Sequence, residues 1–254
     1  MAKRHGIHSR VYIDDFNLST VANKTNRAIS VDTADVTNMS SGGSKEYLEG
    51  PYDLTSGVTA FADLADENWD EVAFSKVTTA GDDHYVLQLV GLGATIPAPL
   101  DIAWEDIVRW TAQPRSFDIG GAIMLDGSWQ GTGGTARGIV LNTAALTATG
   151  AGTGQNHGAT TSPTTVVVTY RVLAAAGTGS IAIALEQFTS DTPASYAAVA
   201  ALASGTITIT GGVADLPVVR KTDTASSQAW KRINVTTFAT ITSCTVLVTI
   251  TVKK

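Results

Sequence analysis

Ser44–Phe74 reads SKEYLEGPYDLTSGVTAFADLADENWDEVAF, and three kinds of local order follow one another in it. Ser44–Pro51 is charged and aromatic and ends in Gly50-Pro51, a pair that marks a turn. Leu54, Ser56, Val58, Ala60 and Ala62 then alternate with Thr55, Gly57, Thr59, Phe61 and Asp63. Successive strand side chains point to opposite faces, so this alternation predicts a strand with two unlike faces. Asp63, Asp66 and Glu67 place negative charge where a helix start is positive. Trp69, Val72, Ala73 and Lys76 follow at helical spacing, with Trp69 and Val72 as the expected packing residues. A strand running into one amphipathic helix predicts a sheet with a short helix laid on it.

Outward from this stretch the composition agrees. The 254 residues suffice for one large or two ordinary domains. Apolar residues make up 44% and charged residues only 16%, enough apolar side chains for a core. Gly, Thr, Ala and Val are frequent while Lys and Glu are scarce, which suits β-structure. No apolar run approaches the roughly 20 residues of a membrane span. MAKRHGIHSR at the start is basic and lacks the apolar core of a secretory signal, so synthesis in a reducing cytoplasm is expected. Cys244 is the single cysteine, expected as a small buried strand side chain. The sequons at Asn23 and Asn234 are then chance matches. Residues 1–155 hold 10 basic and 19 acidic side chains, a net of −9, and residues 156–254 hold 7 and 4, a net of +3. An acidic first part does not attract phosphates, though it suits a surface that DNA passes without sticking.

Upstream, Val11 and Ile13 oppose Tyr12 and Asp14 in a first strand, and polar Asn17–Arg27 reads as a loop. Ile29, Val31 and Thr33 alternate with Ser30, Asp32 and Ala34, and Met39–Lys45 is a Ser/Gly loop. Residues 28–62 thus read as two strands around a long excursion of roughly 15 residues, a length that usually serves a partner. Downstream, Ala80–Asp83 is a turn and His84–Val90 a strand. Pro97 and Pro99 punctuate the chain. Asp101–Trp110 fits a strand by Ile102, Trp104 and Val108, or a helix by Trp104, Ile107 and Val108; strand is the expectation. Ser116–Gln130 and Ala136–Asn142 read as two strands around a turn at Gly131–Gly134. Thr143–Ser162 has a linker's composition. Beyond it Val166–Val172, Ser180–Phe188, Thr206–Thr210, Trp230–Val235 and Thr245–Val252 are β-branched runs at short spacing, the pattern of a β-sandwich. Lys253 and Lys254 guard an edge strand against foreign pairing.

No catalytic residue is expected. The Gly131–Gly134 run lacks the Gly-Lys-Ser/Thr of a phosphate loop, and Gly127-Ser128-Trp129-Gln130-Gly131 fails the Gly-x-Ser-x-Gly spacing of a nucleophile elbow. Glu105 and Asp106 are adjacent, so on a strand they face opposite ways and make no glycosidase pair. Neither His5 with His8 nor Asp82-Asp83-His84 forms a credible metal set, because one is on a loose arm and the other splits across strand faces. No cofactor is expected.

VDTADVT at 31–37, SKEYLEG at 44–50, an alternating strand ending FAD at 61–63, and SWQG at 128–131 followed by ARGIVLN at 136–142 together resemble the tail tube (major tail) proteins of long flexible-tailed bacteriophages. The resemblance covers most of residues 10–254 and departs from the family at Ile96–Leu100 and around Trp104 and Trp110. It implies a mainly β fold: a tail-tube β-sandwich/barrel domain over 1–155 with one short helix and long hairpins, a linker over 156–163, and a small Ig-like or jelly-roll β-sandwich over 164–254 outside the tube. It implies a structural virion protein whose hexameric rings stack into a tube, assembled in the bacterial host cytoplasm. Partners would be copies of itself, other tail proteins and viral DNA passing through the lumen without specific binding, with no membrane. Lys45, Glu46, Tyr47 and Glu49 would meet the adjacent ring, and Asp32 and Asp126 would line an acidic lumen. The two-faced hairpins at 28–62 and 117–141 suit a barrel wall shared between subunits, and such sharing removes exposed sheet edges. Alternatives are a carbohydrate-binding module, which needs an exposed aromatic row, and a capsid decoration protein.

Overall fold

The computed structural model describes residues 9–37, 45–61, 74–75, 83–91, 97–116, 123–159, 165–190, 192, 195–210, 217–224 and 227–253. The fold is mainly β. The strands are β1 (Ser9–Ile13), β2 (Phe16–Asn17), β3 (Ala22–Asp35), β4 (Tyr47–Phe61), β5 (His84–Val90), β6 (Ile102–Ala112), β7 (Arg115–Ser116), β8 (Met124–Asn142) and β9 (Ala145–Leu146). They continue as β10 (Gly150–Ala151), β11 (Gln155–Asn156), β12 (Thr165–Ala176), β13 (Gly179–Phe188), β14 (Ala197–Ala198), β15 (Thr206–Ile209), β16 (Val218–Asp223), β17 (Trp230–Ala239) and β18 (Ser243–Lys253). Of the expected helix only Phe74 and Ser75 are described, and they are helical; Trp69 and Val72 lie outside the described residues. Contacts divide the chain into two units, unit 1 (Met1–Ser19, Tyr85–Asp106 and Ala136–Lys254) and unit 2 (Thr20–His84 and Ile107–Thr135). This division does not follow the boundary expected near residues 156–163.

Unit 2 is built on an antiparallel sheet in which β4 lies between β3 and β8, and β7 also pairs with β8. Three expectations change here. Asn17–Arg27 is not a loop: β3 begins at Ala22, and Lys24 and Asn26 pair with Thr59 and Gly57. A strand exposed to water on both sides needs no apolar alternation, so its sequence looks like a loop. Gly50-Pro51 is not a turn either. Val31 pairs with Tyr52 and Thr33 with Glu49, so Gly50 and Pro51 together oppose Asp32 in a β-bulge, one of the few places a ladder accepts proline. Lastly, Gly131–Gly134 lies inside β8 rather than between two strands. A Cβ on Gly131 would stand 2.8 Å from the Leu54 Cβ, and one on Gly133 2.6 Å from the Ile107 Cδ1. These glycines mark close approach within a strand.

Leu54, Ser56, Val58 and Ala60 are buried, as their alternation predicts, and on β8 Leu125 and Trp129 join the same face. Trp110 packs on Trp129 with ring centroids 5.2 Å apart.

Unit 1 has two apolar cores on opposite sides of one layer. The sheet order is β16-β12-β18-β8-β6-β5-β1-β2, and a second sheet runs β10-β17-β13-β14 with β11 on β17 and β15 on β13. Val166, Val168, Tyr170 and Val172 of β12 and Val246, Val248 and Ile250 of β18 pack with Ile181, Ile183 and Leu185 of β13 and Ile233 and Val235 of β17. That is the expected sandwich. The opposite faces are buried too, since Leu247 packs with Tyr12, Leu87, Leu89, Ala103 and Val140. Strands buried on both faces read as near-continuous apolar runs, as β12 and β18 do. Side chains of β12 also meet β6 and β1: Thr169 reaches Glu105, and Arg171 reaches Tyr12. Glu105 accepts a hydrogen bond from the Thr169 hydroxyl at 2.8 Å and one from Arg220 Nε at 2.6 Å. Arg171 lies over the Tyr12 ring at 5.0 Å.

Candidate assembly surface

Beyond the base of the β3–β4 hairpin, both faces are open to water. Every residue from Ala28 to Thr37 is exposed, and so are Lys45, Glu46, Tyr47 and Leu48 on the returning strand. The exposed set includes Ile29 at 44%, Val31 at 49%, Val36 at 45%, Tyr47 at 54% and Leu48 at 63%. Large apolar side chains at such exposure on one projecting element mark an interaction surface. Among the described residues β3 pairs with β4 alone, so its outer edge offers a row of ladder groups.

The described residues nearest the far end of this arm are tied together by hydrogen bonds. The Val36 amide donates to the Glu46 carbonyl at 2.9 Å, and the Glu46 amide to the Thr37 hydroxyl at 2.9 Å. The Thr37 amide donates to Asp35 Oδ1 at 2.9 Å, and hydrogen bonds from Thr37 hold the Asp35 carboxyl below its ordinary range. Lys45, Glu46 and Tyr47 sit at this end, and Glu49 pairs with Thr33 three residues nearer the bulge.

The sheet of unit 2 has a polar face opposite Leu54 and Trp129. The register aligns Lys24, Thr59 and Asp126 in one row, then Asn26, Gly57 and Ser128, then Ala28, Thr55 and Gln130. Alternation along β3 carries this face on through Ser30 to Asp32. Asp32 and Asp126 therefore share a face, with Asp32 exposed and Asp126 half-buried. Asp53, which sequence reasoning passed over, joins them and accepts a hydrogen bond from the Gln130 amide. Only the strand register, invisible before pairing is known, puts Asp53 here. A cleft of about 220 Å³ lies on this face, lined by Lys24, Asn26, Thr59, Pro114, Asp126 and Ser128 among others. Asp126 Oδ1 is buried without a hydrogen-bond donor among the described residues. With Lys24 as the facing cation, three carboxylates leave the face acidic.

The excluded chemical pairs are structural. Glu105 and Asp106 are both buried, and Glu105 is occupied by Thr169 and Arg220. Asp83 accepts from the Thr132 hydroxyl and from Arg109 Nε, each at 3.0 Å, and the Thr132 and Arg109 hydrogen bonds keep its carboxyl ionised below the usual range. No group of three or more metal-ligating side chains occurs among the described residues. Cys244 is buried, and burial raises its thiol pKa to about 11, so the thiolate is suppressed.

One turn in unit 1 stands out. The Asp101 amide donates to the Ala98 carbonyl at 3.1 Å, with Pro99 and Leu100 as the central residues and Leu100 at φ 71°. This is the pattern of a type II turn, whose third position calls for Gly or Asn. Leucine there carries strain of roughly 1–3 kcal/mol. Buried Asp101 holds the turn: its Oδ2 accepts from the Ala98 amide at 2.8 Å, and its carbonyl accepts from the Val140 amide at 2.9 Å. The Leu100 amide donates to the Val140 carbonyl at 2.9 Å.

No protein-family model and no curated protein matches the chain. Among solved structures, it is similar to a chain from the virion of a native gene transfer agent particle, at 16% identity and a TM-score of 0.43 over 52% of this chain and 97% of that one. It is similar to the SPP1 tail tube at 10% identity and a TM-score of 0.41, over 52% of this chain and 77% of that one. It is also similar to SPP1 Dit, a hub adsorption apparatus protein of phages infecting Gram-positive bacteria, at 8% identity and a TM-score of 0.36, over 96% and 98%.

Proposed function

We propose that this chain is a structural phage tail protein that polymerises with copies of itself into a tube of stacked hexameric rings, through which viral DNA passes. The observation that carries the reading is the β3–β4 arm. Its strands run for 14 and 15 residues, its outer edge has no partner among the described residues, and its apolar side chains stand in water. A soluble monomer gains nothing from that geometry. A neighbour's strand along β3 completes the ladder and removes the edge, and repetition around a ring closes it. In this reading Asp32, Asp53 and Asp126 face the lumen, where their charge repels DNA phosphates. Lys45, Glu46, Tyr47 and Glu49 meet the adjacent ring. The work is assembly rather than catalysis, with no cofactor, and its place is the virion after assembly in the host cytoplasm.

The carbohydrate-binding alternative needs an exposed aromatic row. Trp129 is buried, and Trp104, Trp110, Trp230 and Tyr196 are half-buried. Negative-stain electron microscopy of the purified protein across a concentration series tests the proposal. Rings or tubes are expected; particles that stay monomeric at every concentration, with or without other tail proteins, refute it.

A further inference from the structure

We propose that the Pro97–Asp101 turn presents Leu100 as an apolar knob that seats on the β3–β4 arm tip of a second copy of this chain. The inference depends on the self-assembly reading above and names a contact that assembly would use. Among the described residues, Leu100, at 41%, is the one large hydrophobic side chain that unit 1 exposes; the other eight, from Ile29 to Ile123, belong to unit 2. Its exposure is built in. The left-handed backbone at φ 71° suits glycine or asparagine, yet the position holds leucine. Hydrogen bonds from Ala98 to the buried Asp101 carboxylate, and between Val140 and both Leu100 and Asp101, fix that backbone. The exposed residues of the turn, Pro99 and Leu100, carry no charge.

The same chain carries a matching surface. An open assembly needs two unlike patches on every copy, one to give and one to receive. Val36, Tyr47 and Leu48 at the arm tip are 45%, 54% and 63% exposed and are held in place by the Thr37–Glu46 hydrogen bonds. The knob and the described residues beside the tip are held by hydrogen bonds before contact, so little ordering of them opposes their union.

Leu100→Asn, Leu100→Gly and Leu100→Met variants test this. Asparagine and glycine relax the backbone while deleting the knob; methionine keeps an apolar side chain. Melting temperatures of the Asn and Gly variants should equal or exceed that of the wild type. Their sedimentable assembled fraction should fall at least tenfold at fixed protein concentration, with Met close to wild type. Full assembly of the Asn and Gly variants overturns the knob and leaves the tube reading standing. A wild-type protein that never assembles sinks the tube reading and the knob with it. A Leu100→Cys, Leu48→Cys double variant, oxidised after assembly, should give a ladder of linked chains on a denaturing gel. Absence of the ladder overturns the arm tip as the seat.

Discussion

At Gly138 a single added carbon would lie 1.8 Å from the Ile250 carbonyl oxygen, so the β8–β18 ladder passes there only because the side chain is missing. Charged residues are placed with similar strictness. Arg171 is buried, and burial lowers its pKa to about 10 against the opposing pull of Glu105, which leaves it charged at neutral pH. Removing one partner of such a buried set costs far more than the set contributes as a whole. Lys231 is fully buried and donates to the Gly158 and Gln228 carbonyls. Desolvation lowers its pKa to about 8. His157 beside it falls from 6.5 to about 4, first because burial disfavours its charged form and then because Lys231 repels a second cation. The unfolded chain therefore binds this proton first as pH falls. Stability contributed by neutral His157 is complete above about pH 6.5 and is lost progressively toward pH 4, by up to roughly 3 kcal/mol. A His157→Gln variant should melt with a flatter pH profile than wild type over that window. Parallel profiles would show that His157 does not carry the dependence.

At the scale of elements, β8 decides how the chain is partitioned. It extends from Met124 to Asn142, pairs with β4 in unit 2, and in unit 1 pairs with β18 from Val252↔Arg137 to Val248↔Asn142. The Thr143–Ser162 stretch, linker-like in composition, contains three two-residue strands among its described residues: β9 pairs with β18, and β10 and β11 with β17. Truncation after Ser162 thus removes β18, one of the strands paired with β8, and uncovers Val140 and Leu141. The shortened chain should lose cooperative thermal unfolding, followed by circular dichroism, and become sensitive to protease within Ala136–Asn142. A truncated chain that melts sharply near the wild-type temperature would show residues 164–254 to be a separable domain.

For the whole molecule, the β3–β4 arm is a place where side chains can change without disturbing the core. Ile29 and Val31 stand 44% and 49% exposed, so their loss leaves the chain's own core untouched. An Ile29→Lys, Val31→Lys double variant should melt within about 0.5 kcal/mol per site of wild type, as surface changes do. Its assemblies should vanish from micrographs, because charge on an edge strand blocks further pairing. Normal tubes from this variant would remove the arm from the interface.

The sequence by itself determined the class of fold and the inner faces. Period-two alternation at Leu54–Ala60 and the β-branched runs of β12, β13 and β18 follow from side chains that must leave water, and each is local enough to read. The arm's exposure, the Asp53 alignment, the continuity of β8 through its glycines and the packing of β1 with the C-terminal strands were settled only by tertiary structure. The reason is physical. A glycine looks the same in a turn and under a neighbouring side chain, and a polar run looks the same in a loop and on a strand wet on both faces. Which of the two obtains depends on what long-range pairing brings opposite, and local sequence does not encode that.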